Sequence, residues 1–130
     1  IQAAFLNVKL NNIENDILER RRVANYYLDN IKNKSVILPK VLNDEGHVWH
    51  LFVIRINNRD EFQKYLETNG VQTIIHYPIP PYKQKCYENM NSISFELTEK
   101  IHNEIVSLPI SAVLTSEEIN KIVNLINRFN

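Results

Sequence analysis

The chain has 130 residues, 44% apolar and 23% charged, a balance that suits one globular domain and excludes a disordered tail. Fifteen basic residues offset fifteen acidic ones, so charge gives no reason to expect nucleic acid or an anionic membrane as partner. A lone cysteine, Cys86, excludes an internal disulfide and fits a reducing cytoplasm. The longest apolar run, Leu51 to Ile54, is far too short for a bilayer, and two glycines exclude a glycine-rich phosphate loop.

Residues 1–33 read as one long helix. Leu6, Leu10, Ile13, Ile17, Ala24, Leu28 and Ile31 recur at spacings of three, four and seven, forming a single apolar stripe that neither Pro nor Gly interrupts. A helix of this length is expected to span two domains or to seal a dimer. Its opening at Ile1, without Met and already inside the amphipathic pattern, reads as a cut end. Arg20, Arg21 and Arg22 follow Glu14, Asp16 and Glu19, which suggests a solvated face with ion pairs rather than a binding patch. Val36-Ile37 and Pro39 end the helix.

Asn43-Asp44-Glu45-Gly46 is turn chemistry. His47 to Ile56 then reads as a strand with Val48, His50, Phe52, Ile54 and Ile56 on one face and Trp49, Leu51, Val53 and Arg55 on the other. Both faces are largely apolar, as in a central, covered strand. Asn58 or Asp60 caps a helix with Phe62, Tyr65 and Leu66 inward, and Gly70 supplies its left-handed terminus. Val71 to Tyr77 reads as the next strand, completing a strand-helix-strand unit. Its crossover should be right-handed if the strands are parallel. Pro78-Ile79-Pro80-Pro81 opens a stiff loop to Ser92. Leu97, Ile101 and Ile105 mark a helix, Ser107 to Ile110 an extended piece. Thr115 with Glu118 forms a capping box before Ile119, Ile122, Val123 and Ile126. The expected class is α+β, a small sheet of about three strands covered by helices and preceded by the long one. The long helix (1–33) is set apart from a small domain (34–130).

His47 and His50 would point to opposite faces of a strand, so they do not suggest a shared metal. No local motif pairs Cys86 or a serine with His76 as nucleophile and base. The segment from Ile75 to Tyr82 stands out. It ends an expected strand and enters a rigid loop, the place where functional side chains gather, and it carries an imidazole and a phenol. A packed loop with a core tyrosine is the other reading of the same residues.

Gly46-His47-Val48-Trp49-His50-Leu51-Phe52-Val53-Ile54-Arg55 resembles a segment of the DegT/DnrJ/StrS family of sugar aminotransferases. So does the run from Arg59-Asp60-Glu61-Phe62 through Gly70-Val71-Gln72-Thr73 to His76-Tyr77-Pro78. The opening Gln2-Ala3-Ala4 and the closing Ser107-Leu108-Pro109-Ile110 and Leu114 to Glu118 also resemble the family, in order, over nearly the whole chain. The resemblance implies the small C-terminal domain of a fold-type-I transferase dependent on pyridoxal phosphate (PLP), a dimer in which a lysine of the large domain holds the cofactor. It implies transfer of an amino group, usually from glutamate, to a nucleotide-linked keto sugar. The phrase from Val71 to Pro81 looks most like enzymes that aminate 3-keto-6-deoxyhexoses on dTDP.

No position here matches the family's lysine, its acidic partner of the pyridine nitrogen or its phosphate-binding residues. The resemblance therefore assigns no catalytic and no cofactor-binding residue to this chain, and implies that alone it is inactive and binds no PLP. It makes His76 and Tyr77 the substrate-binding pair, contacting the sugar or its diphosphate. The chain departs from the family at Tyr82, where relatives carry His, so no substrate role is carried to that position. Trp49 and His50 read as packing residues, and Arg55 as either an ion-pair partner or an anion contact. The alternative is a stand-alone ligand-binding or regulatory α+β module without enzymatic activity. A helical adaptor using the stripe of residues 6–31 is a third reading.

Overall fold

The computed structural model describes residues 1–130, the side chain of Asp44 excepted. The N-terminal helix forms as two segments, α1 (Gln2–Leu10) and α2 (Ile13–Asn30), with a turn at Asn11 and Asn12. Asparagine side chains compete for local hydrogen bonds and weaken a helix interior. Here Asn12 accepts from Asn15 at 3.0 Å and donates to Asp16 at 3.1 Å, bonds that accompany the restart. The expected continuous stripe is thus divided. Val23, Ala24 and Tyr27 of α2 are buried and Ile31 follows them inward, while no residue of α1 is buried.

Among the described residues the three arginines of α2 form one ion pair, Arg22 with Glu19 at 2.7 Å. Beside that pair, all three engage backbone carbonyls, which the sequence reading did not foresee. Arg20 donates to the carbonyls of Trp49 and Ile110, Arg21 to those of Glu45 and His47, and Arg22 to that of Leu114. The guanidinium forks satisfy loop carbonyls that no regular element engages, and so they staple two loops to α2.

The sheet is antiparallel with order β1-β2-β3: β1 (Val36–Ile37), β2 (Phe52–Ile56) and β3 (Ile105–Leu108). Val36 opposes Ile56, and Phe52 opposes Leu108. β2 is central, as its apolar faces imply, but it begins five residues later than His47. Trp49 lies at φ 48°, a left-handed conformation that breaks an extended run. The break turns the indole inward, where it stacks on Phe52 with ring centroids 5.2 Å apart. His50 is consequently exposed and outside the strand, not a packing residue. Phe52, Ile54 and Ile56 are buried, while Val53 and Arg55 on the opposite face are half-covered.

α3 (Arg59–Thr68) buries Phe62 and Leu66. It closes with Gly70 at φ 77°, the Gly70 N–H reaching the Glu67 carbonyl and the Val71 N–H that of Leu66, both at 2.9 Å. This paired termination needs the left-handed glycine the sequence supplies. Residues 71–77 do not form the expected full strand. Ile74 alone bridges to Ser107, antiparallel. Since β3 runs against β2, the bridging segment runs in the direction of β2 but on the far side of β3, so the two are parallel without being neighbours.

α4 (Glu96–Glu104) leads directly into β3, and α5 (Ser116–Arg128) buries Ile119, Ile122, Val123 and Ile126. Its capping box is complete: Glu118 N–H donates to Thr115 Oγ1 at 3.2 Å, and Thr115 N–H donates to Glu118 Oε2 at 2.9 Å. One core joins the inner half of α2, the strands, α3 and α5. Tyr27 lies at its centre, edge-on to Phe52, and donates its hydroxyl to the Pro109 carbonyl at 2.8 Å; burial pushes that hydroxyl's pKa well above its ordinary value. Among the described residues no helix is long and apolar enough to cross a membrane.

Candidate functional site

The segment 74–77 is held against β3 by backbone and side chain together. Ile74 N–H donates to the Ser107 carbonyl at 3.3 Å, and Ser107 N–H to that of Ile74 at 2.8 Å. Two residues on, His76 Nδ1 stands 2.9 Å from Ser107 Oγ. Ser107 is buried; His76 is half-buried. The imidazole is therefore anchored by one nitrogen at the edge of the sheet.

Tyr77 projects outward, 67% exposed, with its ring edge-on to His76 at 5.6 Å. Its backbone is secured where its side chain is free. His102 Nδ1 lies 2.6 Å from the Tyr77 carbonyl. A carbonyl only accepts, so His102 carries its proton on Nδ1. The carbonyl of His102 in turn accepts from Arg59 Nη1 at 2.8 Å. The start of α3, the last turn of α4 and the segment 74–77 are thus linked in a chain.

Arg55 resolves to an ion pair. Its Nε and Nη2 both donate to Glu104 Oε2, at 3.0 and 2.7 Å, beneath the end of α4. Tyr82 is buried and packs edge-on to Phe95 at 5.2 Å, and it donates its hydroxyl to Glu99 Oε1 at 3.1 Å. It braces the proline-rich loop on α4, which accounts for a phenol there without a substrate contact. Burial, then the bond to Glu99, raises the Tyr82 pKa. Glu99 is lowered by the Ser94 hydroxyl first, then by Tyr82.

The structure therefore brings His76 and Tyr77 together at one exposed corner, as their adjacency requires, and adds Ser107, His102 and Arg59 behind them. Sequence reasoning missed those three. Ser107 was visible only as part of an extended Ser-Leu-Pro piece, and nothing local ties residues 76 and 107. A groove of about 940 Å³ runs between α3 and α5 past Gln63, Glu67, Lys121 and Ile122, and neither His76 nor Tyr77 lines it. A smaller apolar hollow of about 490 Å³ lies beside Tyr82, Tyr87, Met90 and Phe95.

The groups gathered at 74–77 are an imidazole, a phenol and a buried hydroxyl. None is an amine that could form a Schiff base with PLP. The set does fit hydrogen bonding to hydroxyl, carbonyl or phosphate oxygens.

The family model described as the DegT/DnrJ/EryC1/StrS aminotransferase family matches residues 1–127. A dTDP-3-amino-3,6-dideoxy-alpha-D-galactopyranose transaminase of Aneurinibacillus thermoaerophilus is 50% identical over 129 residues, covering 99% of this chain and 36% of that protein. S. venezuelae DesV, solved in complex with a ketimine intermediate, superposes with a TM-score of 0.89 at 27% identity, over 97% of this chain and 35% of DesV. NtdA from Bacillus subtilis, solved with bound cofactor PMP, gives 0.76 at 27% identity, over 85% of this chain and 27% of NtdA. The chain spans about a third of the length of the curated relatives it matches.

Proposed function

Because the chain belongs to the DegT/DnrJ/EryC1/StrS aminotransferase family, we propose that it is the C-terminal part of a PLP-dependent enzyme that moves an amino group from glutamate to a nucleotide-linked keto-deoxysugar. The observation that carries this reading is the 50% identity, sustained over 129 residues, to a transaminase named for a dTDP-3-amino-3,6-dideoxyhexose. The acceptor is accordingly a 3-keto-6-deoxyhexose on dTDP. The intact enzyme works as a homodimer in the cytoplasm, and residues 1–33 connect its large domain to the small domain 34–130. PLP supplies the electron-accepting chemistry of amino transfer from the large domain.

The work of this chain is orientation. His76, fixed by one nitrogen, offers the other to an oxygen of the sugar or its diphosphate. Tyr77 offers its exposed hydroxyl from a backbone that His102 restrains. Groups held by packed neighbours bind without the entropy of ordering them. Alone, the chain has no amine placed for PLP at this site and is expected to be inactive and cofactor-free.

The test is His76→Ala in the full-length enzyme, assayed with a dTDP-linked 3-keto-6-deoxyhexose. The expected result is a fall of about tenfold or more in kcat/KM for the sugar, the scale of one lost hydrogen bond to a charged or polar ligand. The glutamate half-reaction should be unchanged. An unaltered kcat/KM for the sugar removes His76 from the substrate site.

A further inference from the structure

We propose that Ser107 is a positioning residue that holds His76 in the tautomer with its proton on Nε2, so that the ring presents an N–H donor outward. The inference rests on the reading of His76 as a substrate contact only for its functional consequence; the tautomer follows from the geometry of the chain itself.

Ser107 is 5% exposed, and its backbone N–H and carbonyl are both committed to Ile74. Its hydroxyl has one proton to donate. Among the described residues the one hydrogen-bond partner of Oγ is His76 Nδ1, at 2.9 Å. A buried hydroxyl left without an acceptor is costly, more so than the bond itself is stabilising. The satisfied arrangement has Ser107 Oγ–H donating and Nδ1 accepting with its lone pair. In a neutral imidazole the proton then resides on Nε2. The reverse assignment, Nδ1–H donating to Oγ, leaves the serine proton facing buried surroundings. The backbone bridge between Ile74 and Ser107 fixes the spacing that makes this bond, because residues 74 and 76 extend from the same paired edge.

The consequence is a choice of ligand chemistry. An outward Nε2–H binds groups that accept: a carbonyl oxygen, a phosphate oxygen or a hydroxyl in its acceptor role. It rejects a group that only donates. His102 provides the internal contrast. Its Nδ1 faces a carbonyl and is protonated, while the Nδ1 of His76 faces a hydroxyl with no other outlet and is not. Two histidines of one small site are thereby set in opposite tautomers by what their Nδ1 atoms meet.

The test has a spectroscopic arm and a kinetic arm, both on the full-length enzyme. Histidine labelled with nitrogen-15 is read by solid-state magnetic resonance at neutral pH without sugar, with His76→Gln used to assign the signal. The expected result is an unprotonated Nδ1 and a protonated Nε2 at His76. Ser107→Ala, which keeps the backbone bridge, should give a mixture of tautomers; Ser107→Thr, which keeps the hydroxyl, should restore one. A protonated Nδ1 in the unaltered enzyme, or a tautomer indifferent to Ser107→Ala, overturns the proposal. In the kinetic arm, Ser107→Ala should raise KM for the dTDP-keto sugar about three- to tenfold, and Ser107→Thr should recover it. A tautomer that shifts while KM does not would uphold Ser107 as the positioning residue and overturn the substrate role of His76.

Discussion

At the scale of single residues, the chain spends its polar side chains on backbone. Arg20, Arg21, Arg22, Arg59 and His102 each engage a carbonyl distant in sequence. The Arg55–Glu104 pair instead joins side chain to side chain, with Glu104 buried. Removing one partner leaves the other charge with reduced compensation, since Lys100 stands 3.9 Å away at the surface. Arg55→Met is therefore expected to destabilise the chain by about 3 kcal/mol, read as a shifted urea midpoint, and Arg55→Met with Glu104→Leu by distinctly less. The same scale shows what a sequence withholds. His76 and Tyr77 stand out in the sequence because an expected strand meets prolines there, although only the bridge at Ile74 forms. Ser107 and His102 do not stand out, because a hydrogen bond across 31 or 25 residues leaves no local trace. Arg55 was legible as a charge needing a partner, but the partner lay 49 residues away.

At the scale of elements, α5 and α1 are opposites. α5 was readable to its first residue, since Thr115, Glu118 and the spacing of its isoleucines act within one helix. The hydrogen bonds of Thr115, from its backbone first and its hydroxyl second, hold the Glu118 carboxyl below the usual carboxylate range, and the bonds at Glu99 do likewise. A carboxylate depressed in the folded state stabilises fully above its unfolded pKa, and that contribution disappears as pH falls through the lower folded value. Thr115→Ala should cost about 1 kcal/mol near neutral pH. It should also flatten the rise of stability with pH below about 5, a change that urea titrations at several pH values would reveal. α1 is a helix by pattern alone, with Phe5, Leu6 and Val8 at the surface. A nine-residue helix without packing is marginal in water. Its amides are expected to exchange with deuterium far faster than those of Val23 to Tyr27 in α2, and equal protection would show that α1 is held by something else. The strands were read less well, for a physical reason: Trp49 at a positive φ and the single bridge at Ile74 are decisions of tertiary packing, invisible to periodicity.

At the scale of the molecule, surface area is the informative quantity. The chain exposes 9385 Å², whereas a compact monomer of 15.3 kDa would expose roughly 7,100 Å². The excess exceeds the area one partner contributes to an ordinary protein interface, roughly 800 Å², and Phe5, Leu6 and Val8 of α1 are among the apolar side chains left uncovered. The isolated chain is expected to self-associate as concentration rises, seen as an increasing sedimentation coefficient, and Phe5→Glu with Val8→Glu should suppress it. Behaviour as a clean monomer at high concentration would count against an interface on this helix. β3 has a different global meaning. Its four buried residues pair with β2 on one side, continue directly from α4, and on the other side grip the segment that ends in His76. The proline-rich loop that follows is tied down mainly through Tyr82. Under selection for a new acceptor, drift at 105–108 would be purged along with the fold, while residues 83–92 remain free to vary. Descendants of this chain would then share an unchanging imidazole mount and differ in the loop beside it, so ancestry is best traced through the first and novelty sought in the second.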